Sequence, residues 1–380
     1  MRSIYVDDDL EAIRVGVRQY VENEIVPHVD EWEREQIVPR ELLDDMGRLG
    51  YFGLRIPEEY GGVGLGHIAT VVFAEELGRC TSGGTAITIL VHTDLASPYV
   101  TNFGSPEQKT RWLPAFASGE LITAIGVTEP DTGSDVQAIR TTARRDGDGW
   151  VLNGAKMFIT NGGFADVVFI AAKTQSEVKG SRGISIFGVE KVTEGFRATR
   201  AIEKMGWHAS NTAELVLENA WVPGSHLIGD ENRGFYYIMN NFQNERLAVV
   251  GLALGEAQKA LEVTVDYVKH RQTKGEPLWE KQAVRQRLAS RQAEVDAARE
   301  LAYRAAWMMD QGADAVREVS EVKALVGELE NRVMYDCVQF HGGMGFASES
   351  TIERMYRDAR IASIGGGATE VMLDEVAKRL

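Results

Sequence analysis

The octapeptide Thr128-Glu129-Pro130-Asp131-Thr132-Gly133-Ser134-Asp135 ends an apolar run, Leu121 to Val127, with turn residues. Pro130 and Gly133 bend the chain at that point. A strand that stops on such a turn gathers backbone N–H groups and the Thr128 and Ser134 hydroxyls in one small volume. That surface suits a flavin edge, a diphosphate or another anion. The same residues also make an ordinary tight turn closed by an Asx or Ser hydrogen bond, and the octapeptide alone leaves both readings open.

Other common chemistries find no residues to carry them. The seven histidines form no HxxH or HExxH pair, and Cys80 and Cys337 stand in no metal-binding spacing, so both read as buried thiols of a reducing compartment. Lys plus Arg number 41 against 56 Asp plus Glu, a formal charge of -15 that disfavours nucleic acid or an anionic membrane as main partner. No uninterrupted apolar stretch reaches spanning length. Met1 to Leu10 is acidic where a signal or transit peptide would be basic. These features predict a soluble cytoplasmic protein with no membrane span and no nucleic-acid partner.

The elements that must position the octapeptide follow from periodicity. At 380 residues the chain exceeds what one core usually serves. From Asp7 to about Gly119 apolar residues recur at helical spacing. Leu10, Ile13, Val17, Tyr20 and Ile25 form a first stripe that Pro27 is expected to end, and further helices start near Ile68, Ala86 and Ser105-Pro106-Glu107. Between Leu121 and about Gly229 the period becomes strand-like, as at Trp150-Val151-Leu152, Asp166 to Ala172, Gly183 to Val189 and Leu215 with Leu217. Strand–helix alternation and a GxGxxG are both absent, which argues against a Rossmann nicotinamide site. After Gly234 three long apolar stripes, from Leu247, Val284 and Val322, read as a helical bundle. The expected fold is mainly α with a central β-domain: an N-terminal helical domain over 1–120, a small barrel-like or sandwich β-domain over 121–230, and a C-terminal four-helix bundle domain over 231–380.

Taken in order, Pro57-Glu58-Glu59-Tyr60-Gly61-Gly62, the octapeptide, Asn153-Gly154-Ala155-Lys156, Phe158-Ile159-Thr160-Asn161-Gly162, Arg271-Gln272-Thr273, His341-Gly342-Gly343 and Arg357-Asp358-Ala359-Arg360 resemble the acyl-CoA dehydrogenase family over nearly the whole chain. The resemblance implies noncovalent FAD and an acyl thioester substrate. A carboxylate removes the α-proton, the β-hydrogen passes as hydride to flavin N5, and a trans-2-enoyl thioester results. Physically, so weak an acid yields its proton only to a desolvated carboxylate with hydrogen bonds waiting for the enolate oxygen.

Many family members carry that carboxylate in an Ile-Tyr-Glu-Gly-Thr pattern just after Arg-Asp-Ala-Arg. Here the aligned residues are Ile364-Gly365-Gly366-Gly367-Ala368, and Gly366 stands where the glutamate would be. A second branch, including the isovaleryl-CoA and long-chain enzymes, carries the base on the first long helix of the C-terminal domain in a Glu-Arg-Leu pattern. Phe242-Gln243-Asn244-Glu245-Arg246-Leu247 corresponds to it. The resemblance therefore implies Glu245 as base and the Gly366 N–H as donor to the thioester oxygen, with Glu370 the alternative carboxylate. For Glu245 the competing expectation is an exposed helix carboxylate paired one turn away.

The resemblance further implies Ile125, Val127, Thr128 and Thr160 around the isoalloxazine, with Phe158 replacing the more frequent tryptophan against its face. Gly133 and Ser134 would approach flavin phosphate and substrate. Arg271 and Gln282 belong to the diphosphate end, while Gln339, Gly342 and Gly343 would reach the adenylate part of a neighbouring subunit. Ala368 replaces a flavin-bonding threonine and Glu370 touches flavin. Gln243, Arg246, Gly365 and Ser134 would meet substrate. Lys274 replaces an aromatic residue near the adenine. A homotetramer built as a dimer of dimers and an electron-transferring flavoprotein as acceptor are implied, with a branched or long acyl chain suggested by Gly365 and Gly366. The same scaffold also serves flavin monooxygenases, dehydrogenases of carrier-protein thioesters and non-catalytic flavin-binding proteins.

Overall fold

The computed structural model describes residues 3–175, 178 and 180–380; the first two residues of the expected 1–120 unit lie outside them. Helix α1 (Asp8–Tyr20) starts where the Asp7 carboxylate caps the Leu10 N–H, with Asp8, Asp9 and Glu11 at the positive end of the dipole. Its stripe does not end at Pro27. The chain runs on through a π-turn (Val21–Ile25) and a 3₁₀ turn (Val26–His28) into α2 (Val29–Glu35), and stops at Gln36 with φ 58°. Pro27 sits in the first turn of the 3₁₀ segment, where a missing N–H is tolerated.

Helices α3 (Arg40–Arg48), α4 (His67–Gly78), α5 (Gly83–Leu90), α6 (Pro98–Phe103) and α7 (Pro106–Ser118) follow. Ser105 and Gln108 close a capping box on α7. Almost every residue of α4 and α5 is buried, as befits helices apolar on all sides. A π-turn over Val91–Ala96 extends α5, an irregularity frequent at functional sites.

Strands β1 (Thr123–Gly126), β2 (Thr142–Asp146), β3 (Gly149–Thr160), β4 (Val167–Lys173), β5 (Ile184–Glu190), β6 (Phe196–Ala201), β7 (Thr212–Pro223) and β8 (Leu227–Ile228) form one sheet, in the order β6-β7-β3-β2-β4-β5-β8 with β1 parallel to β4. Strand β4 explains the continuous apolar run at Asp166 to Ala172, because both its faces are covered. Val167, Phe169 and Ala171 pack toward Tyr99, Trp112 and Phe116 of the helices, while Val168, Ile170 and Ala172 pack on Trp150, Leu152 and Leu215 inside the sheet domain. Opposite Leu215 and Ala213 of β7, β3 spends one residue too many between Lys156 and Ile159. The resulting bulge contains Phe158.

Helix α8 (Gly234–His270) leads through the hairpin β9 (Gln272–Thr273) and β10 (Glu276–Pro277) to α9 (Gln282–Asp310), α10 (Val316–His341), α11 (Thr351–Ala359) and α12 (Thr369–Ala377). The α8 stripe shares one core with α9, α10 and α4. Helices α4 and α8 come so close that a Cβ on Gly255 would stand 1.9 Å from the Glu75 carbonyl oxygen. That contact fixes α8 against the N-terminal helices. Among the described residues no helix is long and apolar enough to cross a membrane, and no His, Cys, Asp or Glu cluster could hold a metal ion.

Candidate active site

The residues singled out in the sequence fall into three groups. The first surrounds Glu245. Contrary to the exposed-helix alternative, its side chain is buried, with 7% residual exposure, and pairs with no Lys or Arg among the described residues. Asn241, one turn earlier on α8, donates from Nδ2 to Glu245 Oε1 at 3.0 Å and to the Leu95 carbonyl of the π-turn at 2.9 Å. Burial pushes the Glu245 carboxyl up to about 8, against the opposing pull of the Asn241 N–H and the Arg246 charge. Tyr99 is wholly buried near this carboxyl and the Asn241 carboxamide, and its hydroxyl finds no well-formed hydrogen bond among the described residues.

Arg246 is also buried, over the Phe242 ring at 5.6 Å, with its Nε unpartnered. Burial holds it below its ordinary range despite Glu245 and Glu375. Its Nε lies 3.6 Å from where a Cβ on Gly367 would stand, so α8 and the glycine turn meet here. Gly366 has φ 66° and Gly367 φ 109°, both in the left-handed region that favours glycine. No protein acceptor among the described residues takes the Gly366 N–H. Gly365 and Ala368 are half-buried beside it and Gln243 is half-buried on α8, whereas Glu370 is exposed in the first turn of α12.

Sequence reasoning missed what holds these parts. Asn241 carried a signal, its spacing of four from Glu245. Lys323 carried none. From α10 its buried Nζ donates to the Ala362 carbonyl at 2.6 Å and the Gly367 carbonyl at 3.2 Å, pinning the glycine turn from 39 and 44 residues away. Burial and the Arg246 charge bring Lys323 down to about 8.

The second group lies on the sheet. Met157 N–H donates to the Thr128 carbonyl at 2.9 Å, which brings the octapeptide to the bulge. Phe158 is 57% exposed at φ 60°, a conformation rare for an aromatic residue. Bulges commonly re-aim a side chain beside a site. Thr128 and Thr160 are half-buried, and their hydroxyls bond to no protein group among the described residues. Ile125 is half-buried and Val127 buried beneath them, while Gly133 and Ser134 are exposed at the tip.

A buried ion pair braces that loop. Lys156 Nζ donates to Glu129 Oε1 at 2.7 Å and to the Val127 carbonyl at 3.2 Å, and the Thr141 N–H and hydroxyl bind the same carboxylate. Burial raises Glu129, but Lys156 and these donors outweigh it and leave the carboxyl below its ordinary value. A flat ring with polar edges fits this surface, since it would cover Phe158 and meet both free hydroxyls.

The third group sits elsewhere. Arg271 follows the last residue of α8 and Gln282 opens α9, joined across the hairpin by Leu278 N–H to the Arg271 carbonyl at 2.7 Å. Gln339, Gly342 and Gly343 are exposed at the end of α10, held to the same end of the bundle by Tyr267, which stacks on His341 with centroids 4.1 Å apart. From Glu245 to Arg271 the helix advances 26 residues, about 39 Å. The structure does not bring this group to the other two within one chain.

Comparison with known proteins identifies the family. Models of the acyl-CoA dehydrogenase N-terminal, middle and C-terminal domains match residues 7–120, 124–220 and 232–380. The mitochondrial long-chain specific acyl-CoA dehydrogenase of Sus scrofa is 38% identical over 97% of this chain and 86% of its own length. The crystal structure of acyl-CoA dehydrogenase from Geobacillus kaustophilus superposes with a TM-score of 0.96 at 39% identity, covering 100% of this chain and 99% of that one. A glutaryl-CoA dehydrogenase from Mycobacterium smegmatis, solved in complex with FADH2, superposes with a TM-score of 0.92 at 31% identity over 99% and 95% of the two chains. The chain belongs to the acyl-CoA dehydrogenase family, and is an FAD-dependent enzyme that dehydrogenates acyl-CoA thioesters.

Proposed function

We propose that Glu245 is the base that removes the α-proton of the acyl-CoA, and that residues 1–120, 121–230 and 231–380 are the three units that assemble its site. The observation that carries this reading is a buried carboxyl, pushed up to about 8, on the helix facing a glycine turn with no carboxylate of its own. The Asn241 N–H occupies Oε1 and leaves Oε2 without a protein hydrogen bond, ready for the proton. Desolvation raises the basicity of the carboxylate toward what the weak acid demands. The unpaired Gly366 N–H donates to the thioester oxygen as negative charge grows there, with Lys323 setting the turn that aims it. Bound FAD supplies the acceptor for the β-hydride. Phe158, Thr128 and Thr160 would hold its ring, and Lys156 with Glu129 fixes the loop that would meet it. Loss of the α-proton to Glu245 and of the β-hydrogen as hydride leaves the trans-2-enoyl thioester.

Glycines at 365 and 366 leave the acyl end uncrowded, which supports a long or branched acyl chain. The separation of about 39 Å between Glu245 and Arg271 supports an assembly in which Arg271, Gln339, Gly342 and Gly343 serve a neighbouring subunit's FAD. Tyr335, Met344 and Phe346, exposed beside them, are in keeping with burial in such a homotetramer. An electron-transferring flavoprotein is the electron acceptor in this reading, and the compartment is the cytoplasm, where Cys80 and Cys337 stay as buried free thiols.

Anaerobic titration of the FAD-loaded protein with straight and branched acyl-CoAs tests the proposal. Long or branched chains are expected to bleach the flavin, and bleaching should require Glu245. Full bleaching of Glu245→Gln at the wild-type rate would reject the assignment of the base.

A further inference from the structure

Behind Asn241 the protein opens a second cavity of about 360 Å³, between the first turns of α8, the end of α6, the Arg55 segment and the turn from α9 to α10. An acyl chain alone would call for apolar walls. Here Met309, Ala315 and Val316 supply an apolar side, and facing it stand Arg55 and five carboxamides: Asn102, Asn240, Asn241, Gln243 and Asn244. Asp314 stands among the lining residues, and Asp310 is tied to the His67 ring at 2.8 Å.

The bonding of this lining is incomplete. Arg55 places Nη2 3.2 Å from His67 Nε2 and Nη1 3.9 Å from Asp94 Oδ1, yet its Nε and Nη1 make no hydrogen bond. Its side chain is only 17% exposed. Asn241 Oδ1 and Gln243 Oε1 are also buried without partners. Buried polar atoms left in this state are costly unless something bonds to them. Asp94 leaves these donors unsatisfied because it stands 3.9 Å from Nη1, an ion pair beyond hydrogen-bond reach, while its oxygens take the Thr70 and Thr93 hydroxyls at 2.7 Å each.

Asn241 belongs to both places. Its Nδ2 binds Glu245 and the Leu95 carbonyl, its Oδ1 has no bonding partner among the described residues, and it lines the cavity with its neighbours Gln243 and Asn244. We propose that the acyl pocket continues past Asn241 into this cavity, and that the preferred acyl chain bears an oxygen function, a hydroxyl or a carboxylate, at its far end, bound by Arg55 and the carboxamides. This rests on Glu245 as the base that fixes where the chain begins. A terminal oxygen accepts from Arg55 Nε and Nη1, and a terminal hydroxyl also donates to a carboxamide oxygen. A methyl terminus leaves all of these groups unpaired and is discriminated against for that reason.

The test compares acyl-CoAs of matched length ending in methyl, hydroxyl or carboxylate, scored by kcat/KM for anaerobic flavin reduction in the FAD-loaded enzyme. One or both oxygenated chains should exceed the methyl chain by about 10- to 100-fold, the range expected for hydrogen bonds to a charged group. In R55M that ratio should fall toward one, and R55K should restore part of it. The double variant D94N/R55M removes cation and counter-ion together, keeping the comparison available if R55M alone unfolds. A carboxylate-only preference that weakens with salt identifies an acid; a preference shared with the hydroxyl identifies neutral recognition. A methyl chain that equals or beats both oxygenated chains in the wild type overturns the inference, as does a folded R55M that slows every chain equally. Bleaching by the methyl chain in a Glu245-dependent manner would leave the dehydrogenase reading intact in either case.

Discussion

Asn241 and Glu245 stand one helical turn apart on α8, and the Asn241 amide grips a single oxygen of a carboxyl that has no ionic partner. An i, i+4 pair of this kind normally adds a few tenths of a kcal/mol to a helix. In the proposed mechanism it orients the proton acceptor. The carboxyl is kept in one rotamer with its second oxygen open, while the apolar surroundings supply the basicity.

Replacement of Glu245 by Gln keeps the shape and the Asn241 contact while removing the proton acceptor. Flavin reduction by the best acyl-CoA should drop by roughly 10² to 10⁴, the usual worth of a general base. Stopped-flow absorbance under anaerobic conditions measures it, and acyl-CoA affinity should change far less than the rate.

The pH profile follows from the same carboxyl. A base must be ionised to act, so reduction should accelerate with rising pH, about tenfold per unit, and level off above about 8. The sign for stability is opposite. A folded carboxyl raised above its ordinary value of 4.5 contributes stability that is complete below that value, is lost steadily as pH climbs from there to about 8, and changes no further above it. Chemical denaturation should therefore show E245Q gaining on the wild type by about 1.4 kcal/mol per pH unit within that window. Parallel curves from pH 5 to 9 would contradict a buried, titrating Glu245.

Lys156→Met should strand the Glu129 carboxylate inside the sheet domain. Breaking a buried pair from one side costs roughly 3 to 5 kcal/mol, so a clear fall in the thermal midpoint is expected. The octapeptide should loosen with it and release FAD, measured as flavin fluorescence in the filtrate. The double variant Lys156→Met/Glu129→Gln should recover part of the stability.

Phe158 offers a cleaner separation of cofactor binding from folding. Its ring packs on little of the protein, being 57% exposed. Phe158→Ala should raise the FAD dissociation constant on the order of tenfold through lost stacking, with the apoprotein's stability nearly unchanged. Phe158→Gly should stabilise the apoprotein by about 1 kcal/mol because φ 60° suits glycine, yet bind FAD as poorly as the alanine variant. Calorimetric titration of the apoprotein with FAD reports both.

The three-part order of the chain was legible because apolar period switches from helical to alternating and back. Strand β6 escaped notice since Phe196–Ala201 offers almost no buried face to produce a pattern. Pro27 misled because a proline and a local change of helix type look alike in sequence. Glu245 could be named from its Glu-Arg-Leu setting, but not its burial, which depends on α8 docking against α4 and the π-turn. Lys323 was invisible for a related reason: its partners are carbonyls, which leave no trace in residue type, reached across the bundle.

Helix α8 runs for 37 residues without a proline, with the buried Glu245 carboxyl in its first third and Arg271 at its end. In the proposed assembly it works as a measuring rod, translating the position of one subunit's reaction centre into the place where that subunit can reach its neighbour. Deleting one residue between 245 and 271 would shorten the rod by only about 1.5 Å but swing its tip by about 100°. In that assembly subunit contact and chemistry share a common phase, and an insertion far from any bound molecule would silence two sites at once, one of them in another chain.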